Sequence, residues 1–157
     1  MSAEKEGGSR MVYRLPRAID LNAASRLIRD KPKLLIVGRC LEAEKPWVLE
    51  RFPSDEYAKI TVCLEAEHVN HVGFKVAGIL ARVPFKEVAV VTTDGSMHCV
   101  QLHFMVEEIF KIMRLEIPRK HYVVAGNELV EVPAEAVRTA RYLSKVAKLL
   151  ERCADSP

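Results

Sequence analysis

The run Val88-Ala89-Val90-Val91-Thr92 has strand-forming side chains at every position and no polar alternation. Successive strand residues point to opposite faces of a sheet, so a strand apolar at every position must be covered on both faces. Lys33 to Gly38 (KLLIVG) reads the same way, and Ala58 to Leu64 (AKITVCL) is a further strand ending near Cys63. With two strands buried on both sides, the chain must supply helices for two faces of one sheet.

The intervening segments carry helical spacing. Asp20 reads as an N-cap, with Leu21, Ala24, Leu27 and Ile28 following and Pro32 ending the run. Pro46 opens a short helix holding Trp47, Val48 and Leu49, and Pro53 closes it. From His68 to Val83, Val69, Val72, Val76, Ile79, Leu80 and Val83 share one face, and Pro84 stops the helix. After the strand Glu87 to Thr92, Asp94-Gly95 makes a turn, Ser96 caps, and a helix runs to about Met113. His121 to Ala125 is a further strand, and Gly126-Asn127 turns it back into Glu128 to Val132 as an antiparallel edge hairpin. Pro133 then opens one final helix reaching about Cys153. The expected architecture is a three-layer, Rossmann-like α/β domain of about five strands in a mostly parallel sheet. Ala24 to Ile28 followed by Lys33 to Gly38 resembles the helix-then-strand opening of several Rossmann-like folds, without a motif that selects a family.

The 157 residues suffice for a single domain over 11–157, with the polar, glycine-containing stretch 1–10 expected as a disordered tail. No apolar run approaches the ~18 residues of a membrane span, and the N-terminus lacks a signal peptide's apolar segment, so a cytoplasmic location is expected. A net charge of +3 excludes a strong global field selecting polyanions. Three Asn and one Gln are compatible with a thermophilic source. The four cysteines include no CxxC pair, which removes zinc-ribbon and bacterial ferredoxin patterns.

Right-handed crossovers put every carboxyl end of the parallel strands on one edge of the sheet. Cys40, Cys63 and Cys99 lie at or just after such ends, and His68, His71, His98 and His103 lie in the first turns of the helices that follow. Three of four Cys and four of five His are thus expected on the edge where α/β sheets bind ligands. Cys99, with His98 and His103 as base or cation partners, is the candidate nucleophile or redox thiol, because a helix N-terminus favours the thiolate. Asp94, Gly95 and Ser96 form the candidate ligand-binding turn. Cys99 and His103, four apart on one helix face, with His68 and Cys63, form a feasible set for zinc or another transition metal. An inert, packed Cys99 is the competing reading, as is a disulfide from Cys40 or Cys63 to Cys99. Glu107, projecting away from the apolar arc, is expected to be solvated. No GxGxxG follows a strand and no GxxxxGK[ST] occurs, which disfavours the usual dinucleotide and triphosphate sites.

The function expected first is therefore a small-ligand or metal-binding protein with a Cys/His-lined site at the carboxyl edge, capable of redox or metal-dependent chemistry. The alternative is a non-catalytic binding module. For that role Arg138, Arg141, Lys145, Lys148 and Arg152 make one basic stripe on the last helix, suited to nucleic acid or an acidic protein. Phe74 and Phe104 project opposite their helices' core faces, as expected of a homodimer contact. The segment Met11-Val12-Tyr13 is the competing cover for them.

Overall fold

The computed structural model describes residues 13–155. Five strands, β1 (Lys33–Gly38), β2 (Tyr57–Val62), β3 (Glu87–Thr93), β4 (Arg119–Ala125) and β5 (Glu128–Val132), form one sheet in the order β2-β1-β3-β4-β5. All neighbours are parallel except β4 and β5. The helices are α1 (Arg26–Arg29), α2 (Cys40–Glu44), α3 (Trp47–Glu50), α4 (Val69–Arg82), α5 (Met97–Met113), α6 (Ala134–Ala140) and α7 (Leu143–Ala154).

The central strands have two cores because both of their faces are apolar. Leu34, Ile36, Val88 and Val90 pack with Val72, Val76 and Ile79 of α4 and with Leu102, Val106 and Ile109 of α5. The alternate residues Leu35, Val37, Ala89 and Val91 pack with Leu41 of α2, Val48 of α3 and Phe52. Along the outer edge of β2, Thr61 N donates to the Pro16 carbonyl at 2.9 Å. Arg14 N and Leu15 N both donate to Glu42 Oε1, so the incoming chain occupies an edge that would otherwise be open.

Two expected helices take a different form. The first does not start at Asp20. Ala18–Asp20 is a single 3-10 turn in which Asp20 accepts from Arg17 at 2.6 and 3.0 Å. Ser25 is the cap of the short α1, accepting from Leu27 N. The carboxylate was recruited by a neighbouring guanidinium rather than by a helix terminus. The last helix breaks into α6 and α7 at Arg141-Tyr142, where Tyr142 N donates to the Thr139 carbonyl and no Gly or Pro announces the stop. The tail at 1–10 and Met11-Val12 lie outside the described residues.

Helix α5 ends on a non-glycine left-handed residue. Arg114 has φ 53° and ψ 44°, while Leu115 N donates to the Phe110 carbonyl at 3.0 Å in the pattern that usually selects glycine. Arg114 is exposed, so its side chain contributes little packing to offset that conformation. Arg114→Gly is expected to stabilise the fold by about 0.5–1 kcal/mol, read as a rise in the urea midpoint at constant slope. A lower midpoint would show that the arginine side chain does more than tolerate this site.

Candidate ligand site at the carboxyl edge of the sheet

Strand order reverses direction between β1 and β3. The chain leaving β1 enters α2 on one face, and the chain leaving β3 enters α5 on the other. Their carboxyl ends therefore part around a crevice, the place where doubly wound sheets accept ligands. Cys40 at the start of α2 faces Thr93 across it, with Sγ 3.7 Å from Oγ1. Cys40 is also within electrostatic reach of Cys63 and Cys99, and burial pushes its thiol pKa up, with the Thr93 contact opposing. All four cysteines are free thiols; Cys40, Cys63 and Cys99 are partly buried, whereas Cys153 is exposed.

Beside the thiols, Arg39 is ion-paired with the buried Glu67, whose Oε1 also accepts from Cys63 N at 3.3 Å. Arg39 Nε and Glu67 Oε2 are buried with no partner among the described residues. An unsatisfied buried polar atom costs about 1–3 kcal/mol, so this corner holds unused hydrogen-bonding capacity. At the entry to α5, Gly95 adopts φ 85°, which a side chain would resist, and Ser96 Oγ accepts from Cys99 N at 3.4 Å. Asp94 is exposed and borders a cavity on each side of the sheet. One, of about 360 Å3, is shared with Glu44, Lys45 and Thr93. The other, of about 250 Å3, is shared with Val100, His103 and Val137.

Beneath this edge runs a buried polar chain. Thr92 Oγ1 is 2.9 Å from His103 Nε2, and His103 Nδ1 is 2.9 Å from His121 Nδ1. His121 Nε2 is 2.8 Å from Glu107 Oε1, which Arg119 Nε also reaches at 2.6 Å. Burial alone would raise the Glu107 pKa, but the bonds from Arg119 and His121 hold it below the ordinary carboxylate range. An ionised Glu107 can only accept, which fixes the His121 Nε2 proton, and burial keeps both imidazoles neutral, which fixes the rest of the chain. His121 donates through Nε2 and accepts at Nδ1; His103 donates through Nδ1 and accepts at Nε2; the Thr92 hydroxyl donates. Burial, and then the neighbouring His121, lower the His103 pKa to about 4; burial lowers that of His121 despite Glu107.

The structure brings some of the expected site residues together and parts others. Asp94, Gly95, Ser96 and Cys99 sit together at the α5 entry, with His98 half-buried beside them. His103 is committed elsewhere, since both its nitrogens are engaged by Thr92 and His121 rather than turned to Cys99. His68 is exposed and caps α4, its Nδ1 accepting from Asn70 N, and its ring lies 5.7 Å from that of His71. Among the described residues no three His, Cys, Asp or Glu side chains are grouped as metal ligands would be.

Glu107 is not solvated; it is 5% exposed. The apolar arc of α5 is not its only covered side: α6 packs beside it, and Arg119 and His121 of β4 close over Glu107. His121, the fifth histidine, lies inside β4 rather than at its start. The available signal was a histidine leading into the apolar run Tyr122 to Ala125, together with His103 and Glu107 four apart on one helix.

The histidines tie stability to pH with a definite sign. As pH falls through 6.5, the ordinary histidine value, the unfolded chain takes up a proton that folded His103 refuses until about pH 4. Stability is therefore lost on acidification through that window, by about 2 kcal/mol at pH 5 for His103 alone. Glu107, depressed in the fold, adds a loss in the same direction at still lower pH. The melting temperature is expected to fall on the order of 5 °C between pH 8 and pH 5, and His103→Gln should flatten that decline even if it lowers stability throughout. Equal slopes for the two proteins would remove His103 as its source.

Comparison with known proteins agrees with the fold class. No curated protein and no solved structure matches the chain. A family model described as a Rossmann-like domain matches residues 26–154, from α1 to the end of α7. Its span takes in the parallel sheet, both helical layers and the β1/β3 crevice, and on that match the chain belongs to the Rossmann-like domain family.

Proposed function

We propose that this protein binds a small polar ligand at the β1/β3 crevice, with Arg39, Cys40, Thr93, Asp94-Gly95-Ser96 and Cys99 around it. The observation that carries this reading is the Cys40–Thr93 contact across the switch point, beside the buried and unpartnered Arg39 Nε. The guanidinium and the free N–H groups at the start of α5 suit an anionic or carbonyl group on the ligand. Thiol chemistry by Cys99, with Cys40 and Cys63 in reach, is the activity that this set of side chains would support. In the metal-dependent version, Cys99 and Cys63 would supply ligands, but His103 would first have to give up Thr92 and His121. The thiol version is therefore favoured. On this reading native Cys99, although partly buried, reacts with iodoacetamide at neutral pH faster than the exposed Cys153. Labelling of Cys99 only after unfolding would leave it a packing residue.

A second reading, a homodimer, is favoured by a separate observation. Helices α4 and α5 lie side by side on one face of the sheet, and Phe74 projects from α4 with 85% of its surface exposed. Phe74, Phe104 and Ile112 rim a groove of about 740 Å3 whose floor includes Gly73 and Ala77. Small residues on the floor let a second helix approach closely, and a two-fold axis would set each Phe74 into the partner's groove. Phe74→Glu is expected to convert a dimer to a monomer in light scattering. A native protein that is already monomeric at tens of micromolar, or a variant that remains dimeric, would end this reading.

A further inference from the structure

The basic stripe expected along one C-terminal helix is divided by the break at Arg141-Tyr142. Its second half, Lys145, Lys148 and Arg152, lines the cleft between α6 and α7. Its first half, Arg138 and Arg141, meets Lys111 of α5 and Arg119 of β4 around a separate cavity of about 380 Å3, with Tyr142 on the rim and Glu107 in the wall. Four cationic side chains from three elements and the α6–α7 junction converge here. Two carboxylates oppose them: Glu107 on Arg119, and Glu108 on Arg141 at 3.1 Å. The cavity keeps an excess of two positive charges.

Arg119 is pre-set for a ligand. Its Nε is fixed by Glu107 at 2.6 Å, and its guanidinium carbon stands 5.3 Å from the centroid of the buried Phe110 ring. Neither Nη nitrogen donates to any described residue, so the planar fork is held still with its remaining donors unused. Lys111 and Arg138 likewise have no side-chain partner among the described residues. A stacked guanidinium held by one carboxylate through Nε can meet phosphate oxygens in a bidentate fashion with its Nη pair at little ordering cost.

We propose that this cavity is a binding site for a phosphomonoester group, taking the terminal phosphate of a small phosphorylated molecule. A dianion matches the charge excess, and the volume accommodates more than the phosphate alone. The site is distinct from the β1/β3 crevice: Arg119 opens β4, at the opposite edge of the sheet from Thr93. It communicates with the buried chain, because the carboxylate that orients Arg119 is the one that accepts from His121.

The test is calorimetric titration with phenyl phosphate, with inorganic phosphate and citrate as separate arms. Saturable binding of phenyl phosphate is expected, accompanied by a shift of the His121 ring nitrogen resonances. Arg138→Gln and Lys111→Gln, both at exposed positions, should each weaken binding about tenfold, and Arg119→Lys, which keeps the charge but loses the fork, by more than that. Citrate binding as tightly as phenyl phosphate would overturn the phosphate assignment. No saturable binding up to about 20 mM, or binding unchanged by Arg138→Gln and Lys111→Gln, would overturn the site itself.

Discussion

Everything in this fold follows from burying β1 and β3 on both faces. Leu34 to Val37 and Val88 to Val91 are all essentially inaccessible to water. Each fully buried aliphatic side chain contributes about 1.5–3 kcal/mol relative to exposure, so leaving either face open would forfeit a large share of the folding free energy. Helices must therefore cover both faces, and right-handed crossovers can do this only if the chain winds outward in two directions from β1. The crevice between β1 and β3 is the geometric consequence, present before any particular side chain is placed in it.

Within that apolar frame the Thr92–His103–His121–Glu107–Arg119 chain is a polar inclusion. Burying such groups without partners would cost several kcal/mol, and here each imidazole nitrogen has one partner at 2.8–2.9 Å. With Glu107 ionised and both imidazoles neutral, the protons along the chain point one way, and reversing any member would leave two donors or two acceptors facing each other. This specificity ties α5 to β3 and β4 in a single register, which aliphatic packing alone would enforce less strictly. A well-packed apolar replacement is often at least as stable as a buried ionic group, so stability by itself is a weak reason for this chain. Its position, between the carboxyl edge at Thr92 and the cationic cavity at Arg119, gives it a connecting role in the architecture.

The three surfaces around α5 differ in chemistry because different elements complete them. Toward α4 the helix presents an apolar groove, since the exposed side of both helices carries Phe74, Phe104 and Ile112. Toward α6 and the start of β4 it presents Lys111 and the carboxylate of Glu107, where Arg119, Arg138 and Arg141 gather. At its N-terminus it presents free N–H groups and Cys99 beside the crevice.

The sequence by itself determined the strands, most helix positions and the parallel sheet, because apolar runs without alternation and helical spacing are local signals of burial. It also placed Asp94, Gly95, Ser96 and Cys99 at one turn, since they are neighbours in the chain, and it put Cys40 and Cys63 on the same edge through the handedness of crossovers. Only the tertiary structure decided the partners of His103 and Glu107. His121 and Arg119 come from a strand more than a turn of helix away in sequence, and no spacing rule pairs a helix flank with a strand that another helix has yet to cover. The same holds for Asp20, which an adjacent arginine took from the helix cap, and for the last helix, whose break at Tyr142 carries Arg138 and Arg141 to the cavity. Periodicity reports which face of an element is apolar; what lies against its flank depends on the register in which distant elements dock.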